Sequence, residues 1–197
     1  MKIIGLAGES GTGKTMIGEH LAGRGGEHID ADLVGHELLA DSSDVIDAVR
    51  RLFGDEVFDH NGVIDRRRIG EKIFGDDRIR KSFNNIIHPA IRRRCGELVA
   101  DARARGVHFV VVDAALLLDS QMPFEFDLLV ALRGTRSVQT QRLLERGGRS
   151  EEEIRARLET QSGIEKSFYK ADAVIDTDRS RDAVLDEVDG LVDELLK

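Results

Sequence analysis

Two hydrophobic periods divide this chain. Five short apolar runs, at 2–7, 27–30, 107–113, 126–132 and 170–176, are bounded by turn or charged residues and predict buried strands. Elsewhere apolar residues recur every three or four positions. This spacing predicts a helix after the first run (16–21), a second carrying Leu33, Val34, Leu38 and Leu39, and a last one burying Val184, Leu185, Val188, Leu191, Val192, Leu195 and Leu196. Strands alternating with helices predict an α/β fold with a five-stranded parallel sheet and right-handed crossovers.

The alternation stops between 42 and 106. One stripe there is Val45, Ile46, Val49, Leu52 and Phe53; another runs from Ile79 through Phe83, Ile87, Ile91 and Cys95 to Ala102. His60-Asn61-Gly62 marks a turn, and Ile64-Asp65-Arg66 leads into a short helix. With no central strand, 42–106 is expected to be a helical insertion. Pro89 falls inside the second stripe, so a kink or a helix restart is expected at His88. Residues 135–148 are helical, Gly147-Gly148 breaks them, and Ser150-Glu151-Glu152-Glu153 is a capping box for the next helix. Two arginine-bearing helices on a Gly-Gly hinge form either a mobile lid or an ordinary hairpin with solvated arginines. The expected organisation is one domain, 1–197. Its core comprises 1–41, 107–134 and 171–197, with 42–106 inserted and 135–170 forming the lid and flanking helices.

Composition narrows the function. At 197 residues, 41% hydrophobic and 34% charged, the chain suits a globular domain with a sizeable core. A net charge of −8 argues against nucleic-acid or anionic-membrane binding. The arginines are nonetheless clustered, at 66–68, 92–94 and 142–157, which suits small phosphorylated ligands. With one cysteine, Cys95, neither an internal disulfide nor a cysteine-built zinc site is possible, and no apolar run is long enough for a leader or a membrane span. A cytosolic protein, monomeric or weakly homo-oligomeric, is expected.

The chemistry begins at Gly8-Glu9-Ser10-Gly11-Thr12-Gly13-Lys14-Thr15, which matches G-x-x-x-x-G-K-[ST] between a strand and a helix, the P-loop arrangement. Glycines let the backbone N–H groups turn toward a phosphate, and the helix N-terminus adds positive potential. Lys14 is then expected at the β/γ-phosphates and Thr15 at Mg²⁺. The strand at 107–113 closes in Asp113, the Walker-B position for a metal-binding carboxylate. Asp30-Ala31-Asp32 stands at a strand-to-helix junction, where Asp32 reads equally as an N-cap and as a catalytic carboxylate. His88 by itself suits a core or capping role, and Arg66 a solvated helix face.

A nucleotide switch of the GTPase type would need Asp-x-x-Gly after the third strand, where Leu116 stands, and an amide or hydroxyl where Tyr169 precedes Lys170-Ala171-Asp172. Other small-molecule kinases, for nucleosides or nucleoside monophosphates, share the loop and lid and remain open on the residues alone.

Beyond the loop, several segments recur in a known order: Ile29-Asp30-Ala31-Asp32, Leu52-Phe53-Gly54, Gly62-Val63-Ile64-Asp65-Arg66, Ile87-His88-Pro89, Gln141-Arg142-Leu143 with Arg146, Arg157 with Gln161, Lys166, and Ala171-Asp172-Ala173-Val174-Ile175-Asp176. Over nearly its whole length the chain resembles the dephospho-CoA kinase family. The resemblance implies a three-layer P-loop kinase fold with a helical CoA-binding insertion and a helical lid. It also implies transfer of the γ-phosphoryl of ATP, with Mg²⁺, to the ribose 3′-hydroxyl of dephospho-CoA, the last step of coenzyme A synthesis. Asp32 would deprotonate that hydroxyl, with Lys14 and Arg142 as its catalytic partners. The nucleotide would be held by Gly8, Glu9, Ser10, Gly11, Thr12, Gly13, Lys14, Thr15, Met16, Arg142 and Arg146, and the metal by Thr15 and Asp113. The acceptor would meet Asp32, Arg66, His88, Pro89 and Leu116. The chain departs from the family pattern at Ala115, Leu118 and Asp119, where proline, an aromatic and glutamate are usual, and at Thr177, where asparagine is common.

Overall fold

The computed structural model describes every residue except Gly75, Leu116 and Arg149, together with the side chains of Phe74 and Asp119. Five strands, β1 (Lys2–Gly8), β2 (Glu27–Asp30), β3 (Phe109–Ala114), β4 (Leu128–Arg133) and β5 (Ala173–Asp176), form one parallel sheet in the order β2-β3-β1-β4-β5. Each strand falls on its predicted run, with β1, β3 and β4 extending one residue past its end. The fifth is shorter than its run, because residues up to Lys170 belong to a 3₁₀ segment, Ile164–Lys170.

The central strand β1 explains the near-continuous apolar runs. Ile4 and Leu6 point to one face, where they pack with Ile17 and Leu21 of α1 (Lys14–Gly23) and Val184, Val188 and Val192 of α8 (Arg181–Leu195). Ile3, Val110 and Val112 on the other face are buried as well. A parallel sheet covered on both faces needs apolar residues at every position rather than at alternate ones.

Contacts divide the chain into two compact units, Met1–Asp30 with Leu98–Lys197, and Ala31–Glu97. The helical unit thus begins at the end of β2 and closes within a long helix, whereas the hydrophobic pattern drew its limits at 42 and 106. It comprises α2 (Ala31–Asp41), α3 (Ser43–Phe53), a 3₁₀ turn (Gly54–Val57), α4 (Arg66–Phe74) and most of α5 (Asp77–Ala104). Its own core gathers Leu39, Val45, Val49, Phe53, Val57, Phe58, Ile64, Ile69, Ile87 and Ala90. Gly35 lets α2 approach α5, since a Cβ there would lie 3.0 Å from Ile91 Cδ1.

Two local expectations are corrected. Of the kink or restart expected at Pro89, the restart is absent: α5 runs through it from Asp77 to Ala104, its buried stripe outweighing the missing N–H. Nor is Asp32 an N-cap. The helix already begins at Ala31, and Asp32 lies in its first turn, where a carboxylate still favours the positive helix end.

The sheet-bearing unit also holds α6 (Arg136–Arg146) and α7 (Glu151–Thr160), separated by the Gly-Gly break. Ser150 caps α7 by the expected box: its hydroxyl accepts from Glu153 N, and Ser150 N donates to Glu153.

Candidate active site

The loop after β1 is folded around its own glycines. Gly11 has φ +82°, and a Cβ on it would lie 2.8 Å from the Gln139 carbonyl oxygen. The first residue of α6's second turn therefore sits directly against the loop. Gly13, at φ +91°, caps α1 in a left-handed conformation that other residues reach at a cost. The carbonyl of Glu9 gathers the loop from inside, accepting from Thr12 Oγ1 at 2.8 Å and from Lys14 Nζ at 3.3 Å. Lys14 opens α1 and is buried, with Thr15 and Met16 following it at half-buried positions of the first turn.

Side chains from α6, α7 and the residue that follows α7 brace this loop. Glu9, at the loop's second position, is buried. Its carboxylate accepts from Gln139 Nε2 at 3.0 Å and from Arg136 Nη2 at 3.2 Å, and pairs with Arg136 Nη1 at 3.0 Å. Arg142, one turn beyond Gln139, donates to the Gly11 carbonyl at 3.3 Å and to the Thr177 carbonyl at 2.6 Å. From α7, Arg157 Nε donates to Ser10 Oγ at 2.7 Å, while Ser10 N donates to Gln161 Oε1 at 2.7 Å. Arg146, four residues after Arg142 on the same helix, is exposed.

Below the loop lies a buried acid. Asp113 ends the apolar part of β3, pairs in register with Asp30 of β2, and is 2% exposed. His28 Nε2 donates to its Oδ2 at 2.7 Å. Burial pushes the Asp113 carboxyl above the ordinary carboxylate range. The His28 hydrogen bond opposes that rise, the Asp30 charge adds to it, and the Lys14 charge pulls it back.

Thr15 and Asp113 supply hard oxygen donors of the kind Mg²⁺ takes. Among the described residues, no three His, Cys, Asp or Glu form a metal cage. A magnesium ion carried largely by water and nucleotide phosphate fits such a sparse donor set.

The remaining candidates lie in the helical unit. Asp32, Arg66 and Pro89 are exposed, and His88 is half-buried on α5. Burial pushes the His88 imidazole below its usual value, and the Arg92 charge lowers it further. Leu116 lies outside the described residues.

Comparison with known proteins decides the family. A family model described as dephospho-CoA kinase matches residues 2–182. The chain belongs to the dephospho-CoA kinase family. A dephospho-CoA kinase of Staphylococcus epidermidis is 33% identical over 175 residues, 89% of this chain and 86% of that protein. Two solved structures share the fold seen here. One, titled TT1252 from Thermus thermophilus, has a TM-score of 0.78 at 24% identity and covers 98% of this chain and 97% of its own. The other, a dephospho-CoA kinase from Campylobacter jejuni, has a TM-score of 0.68 at 22% identity and covers 99% and 98%.

Within this dephospho-CoA kinase frame, sequence reasoning missed the supporting side chains. His28, Gly18, Arg136 and the bracing role of Gln139 carry no motif. The available signals were a histidine two residues before the strand-ending Asp30 and a glycine one helical turn after Lys14.

Proposed function

We propose that this chain transfers the γ-phosphoryl of ATP to the ribose 3′-hydroxyl of dephospho-CoA, giving coenzyme A and ADP, the final step of coenzyme A synthesis. The observation that carries the reading is the buried P-loop with Lys14 and Asp113 beneath it, in a chain of this family. Phosphoryl transfer asks a protein chiefly for in-line positioning and charge neutralisation. Mg²⁺, held through the Thr15 hydroxyl and the Asp113 carboxylate, would neutralise charge on the β- and γ-phosphates.

The loop, Gly8, Glu9, Ser10, Gly11, Thr12, Gly13, Lys14 and Thr15, with Met16, binds the triphosphate through its backbone and Lys14. Arg142 and Arg146 add positive charge. Supporting Arg142 is its bond to the Gly11 carbonyl, which keeps a guanidinium beside the loop before any nucleotide arrives. Asp32 accepts the proton of the 3′-hydroxyl. Arg66, His88, Pro89 and Leu116, with the rest of the inserted helices, receive the CoA moiety, and 135–170 closes as the lid. The protein works in the cytoplasm as a monomer or weak homo-oligomer, without nucleic-acid or membrane partners; no described helix is long and apolar enough to cross a membrane.

The test is ADP release with Mg-ATP and, separately, dephospho-CoA, AMP and a nucleoside. Turnover with dephospho-CoA alone is expected. Turnover with AMP but not dephospho-CoA would replace this acceptor by a nucleotide.

A further inference from the structure

We propose that His28 is a positioning residue for the divalent cation of the bound nucleotide: its Nε2–H holds Asp113 in the rotamer that presents the remaining carboxylate oxygen to the cation's shell. The proposal rests on the nucleotide-binding reading above. It starts from the sheet. Asp30 pairs with Asp113 and His28 with Val111, so on parallel strands His28 projects to the same face as Asp113, one step down β2. That face is covered by α1, the helix that begins with Lys14 and Thr15.

A ring fits there because residue 18 has no side chain. A Cβ on Gly18 would lie 2.3 Å from His28 Nε2 and 2.5 Å from its Cδ2. The imidazole thus lies against the backbone of the phosphate-binding helix, with its side chain 12% exposed and its Nε2 2.7 Å from Asp113 Oδ2. Two separate features, the strand register and the missing Cβ, bring one nitrogen to one oxygen.

The Asp113 side chain is only 3% exposed, and in so dry a setting it is attracted to any cation near it. Lys14 is near enough for its charge to act on Asp113. With Oδ2 engaged by His28 Nε2 at 2.7 Å, Asp113 has a fixed hydrogen-bond donor to lean on and Lys14 remains at the loop, at the Glu9 carbonyl. Without His28, the carboxylate would turn toward Lys14. The carboxylate oxygen would then be lost from the cation's shell. A partner that orients a metal-binding carboxylate in this way is worth about 10–100-fold in metal affinity.

The experiment measures Mn²⁺ binding to the full chain saturated with ADP, by the loss of the free-ion paramagnetic resonance signal. ADP binding in EDTA and the thermal midpoint are measured alongside. His28→Ala and Gly18→Ala are each expected to weaken Mn²⁺ by about tenfold while metal-free ADP binding holds. Should His28→Ala not fold, His28→Gln and His28→Met decide, since both fill the space and only glutamine donates. Stronger Mn²⁺ binding by His28→Gln than by His28→Met supports the proposal. Equal binding by these two, or unchanged binding by a folded His28→Ala, overturns it. A wild-type protein that binds Mn²⁺ with ADP yet does not turn over dephospho-CoA would remove the proposed acceptor and leave His28 in place.

Discussion

The phosphate loop and the helical unit Ala31–Glu97 hold their polar residues in opposite ways. Around the loop, Glu9, Lys14, Asp113 and Gln139 are buried, and Glu9 and Asp113 are met by side chains from distant parts of the chain. In the helical unit, Asp32, Arg66 and Pro89 are exposed on helices whose stability comes from a separate apolar core. Buried charge is costly unless every partner is in place, so the loop is a rigid assembly in which each member depends on the others. Exposed residues on a packed helix carry little structural duty. The same kind of substitution should therefore act on stability at the loop and on catalysis in the helical unit.

The largest effect that would sharpen this contrast is at Asp32. Asp32→Asn is expected to lower turnover by roughly 10²–10⁴ with the thermal midpoint and ATP affinity preserved, read by steady-state kinetics and calorimetric melting. Unchanged turnover would return Asp32 to a helix-end charge and leave the helical unit without a base.

Stability should dominate at Gln139. Gln139→Leu removes a donor to the buried Glu9 carboxylate and is expected to cost about 1–3 kcal/mol in urea unfolding. It should also raise the KM for ATP, because the loop loses its brace. A variant as stable as the wild type would break the picture of an interdependent loop.

Pro89 offers the reverse case. In the interior of α5 it lacks an N–H and is costly, so Pro89→Ala should raise stability by about 1–3 kcal/mol. A simultaneous rise in KM for dephospho-CoA would mean that the strain serves acceptor binding; an unchanged KM would make Pro89 a structural passenger.

The smallest effect concerns pH. The folded-state His88 value lies below the usual 6.5, so the unfolded chain takes up this proton first. Its share of stability is complete above pH 6.5 and is lost as the pH falls through the lower, folded value. His88→Gln should flatten that decline, shifting the thermal midpoint near pH 5.5 by about 1–3 °C. A parallel decline in both proteins would assign the acid sensitivity elsewhere.

Much of the architecture was legible because it is periodic. β1, the loop and α1 are contiguous, and local spacing suffices to recognise them. Apolar runs located all five strands for the same reason. The limits of the helical unit were less visible. α2 has the spacing of a core helix, and only its packing, with Gly35 against Ile91, shows which unit it joins. The restart offered at Pro89 does not occur because a local preference for breaking the helix is outweighed by the 28 residues of α5 that bury a stripe around it. Asp32 misled by a single residue, since a helix that starts at Ala31 turns a cap into a first-turn position.

By itself, then, the sequence determined the order of strands and helices, the phosphate loop and the family, all of which are written in neighbouring residues or fixed spacings. Only the tertiary structure decided which charges support that loop. Glu9 and Gln139 are separated by 130 positions, and His28 and Asp113 by 85. No local pattern encodes such pairs. They form because a parallel sheet brings remote strand ends together under one helix, and because a dry interior leaves a carboxylate little choice but to find the donor that the fold delivers.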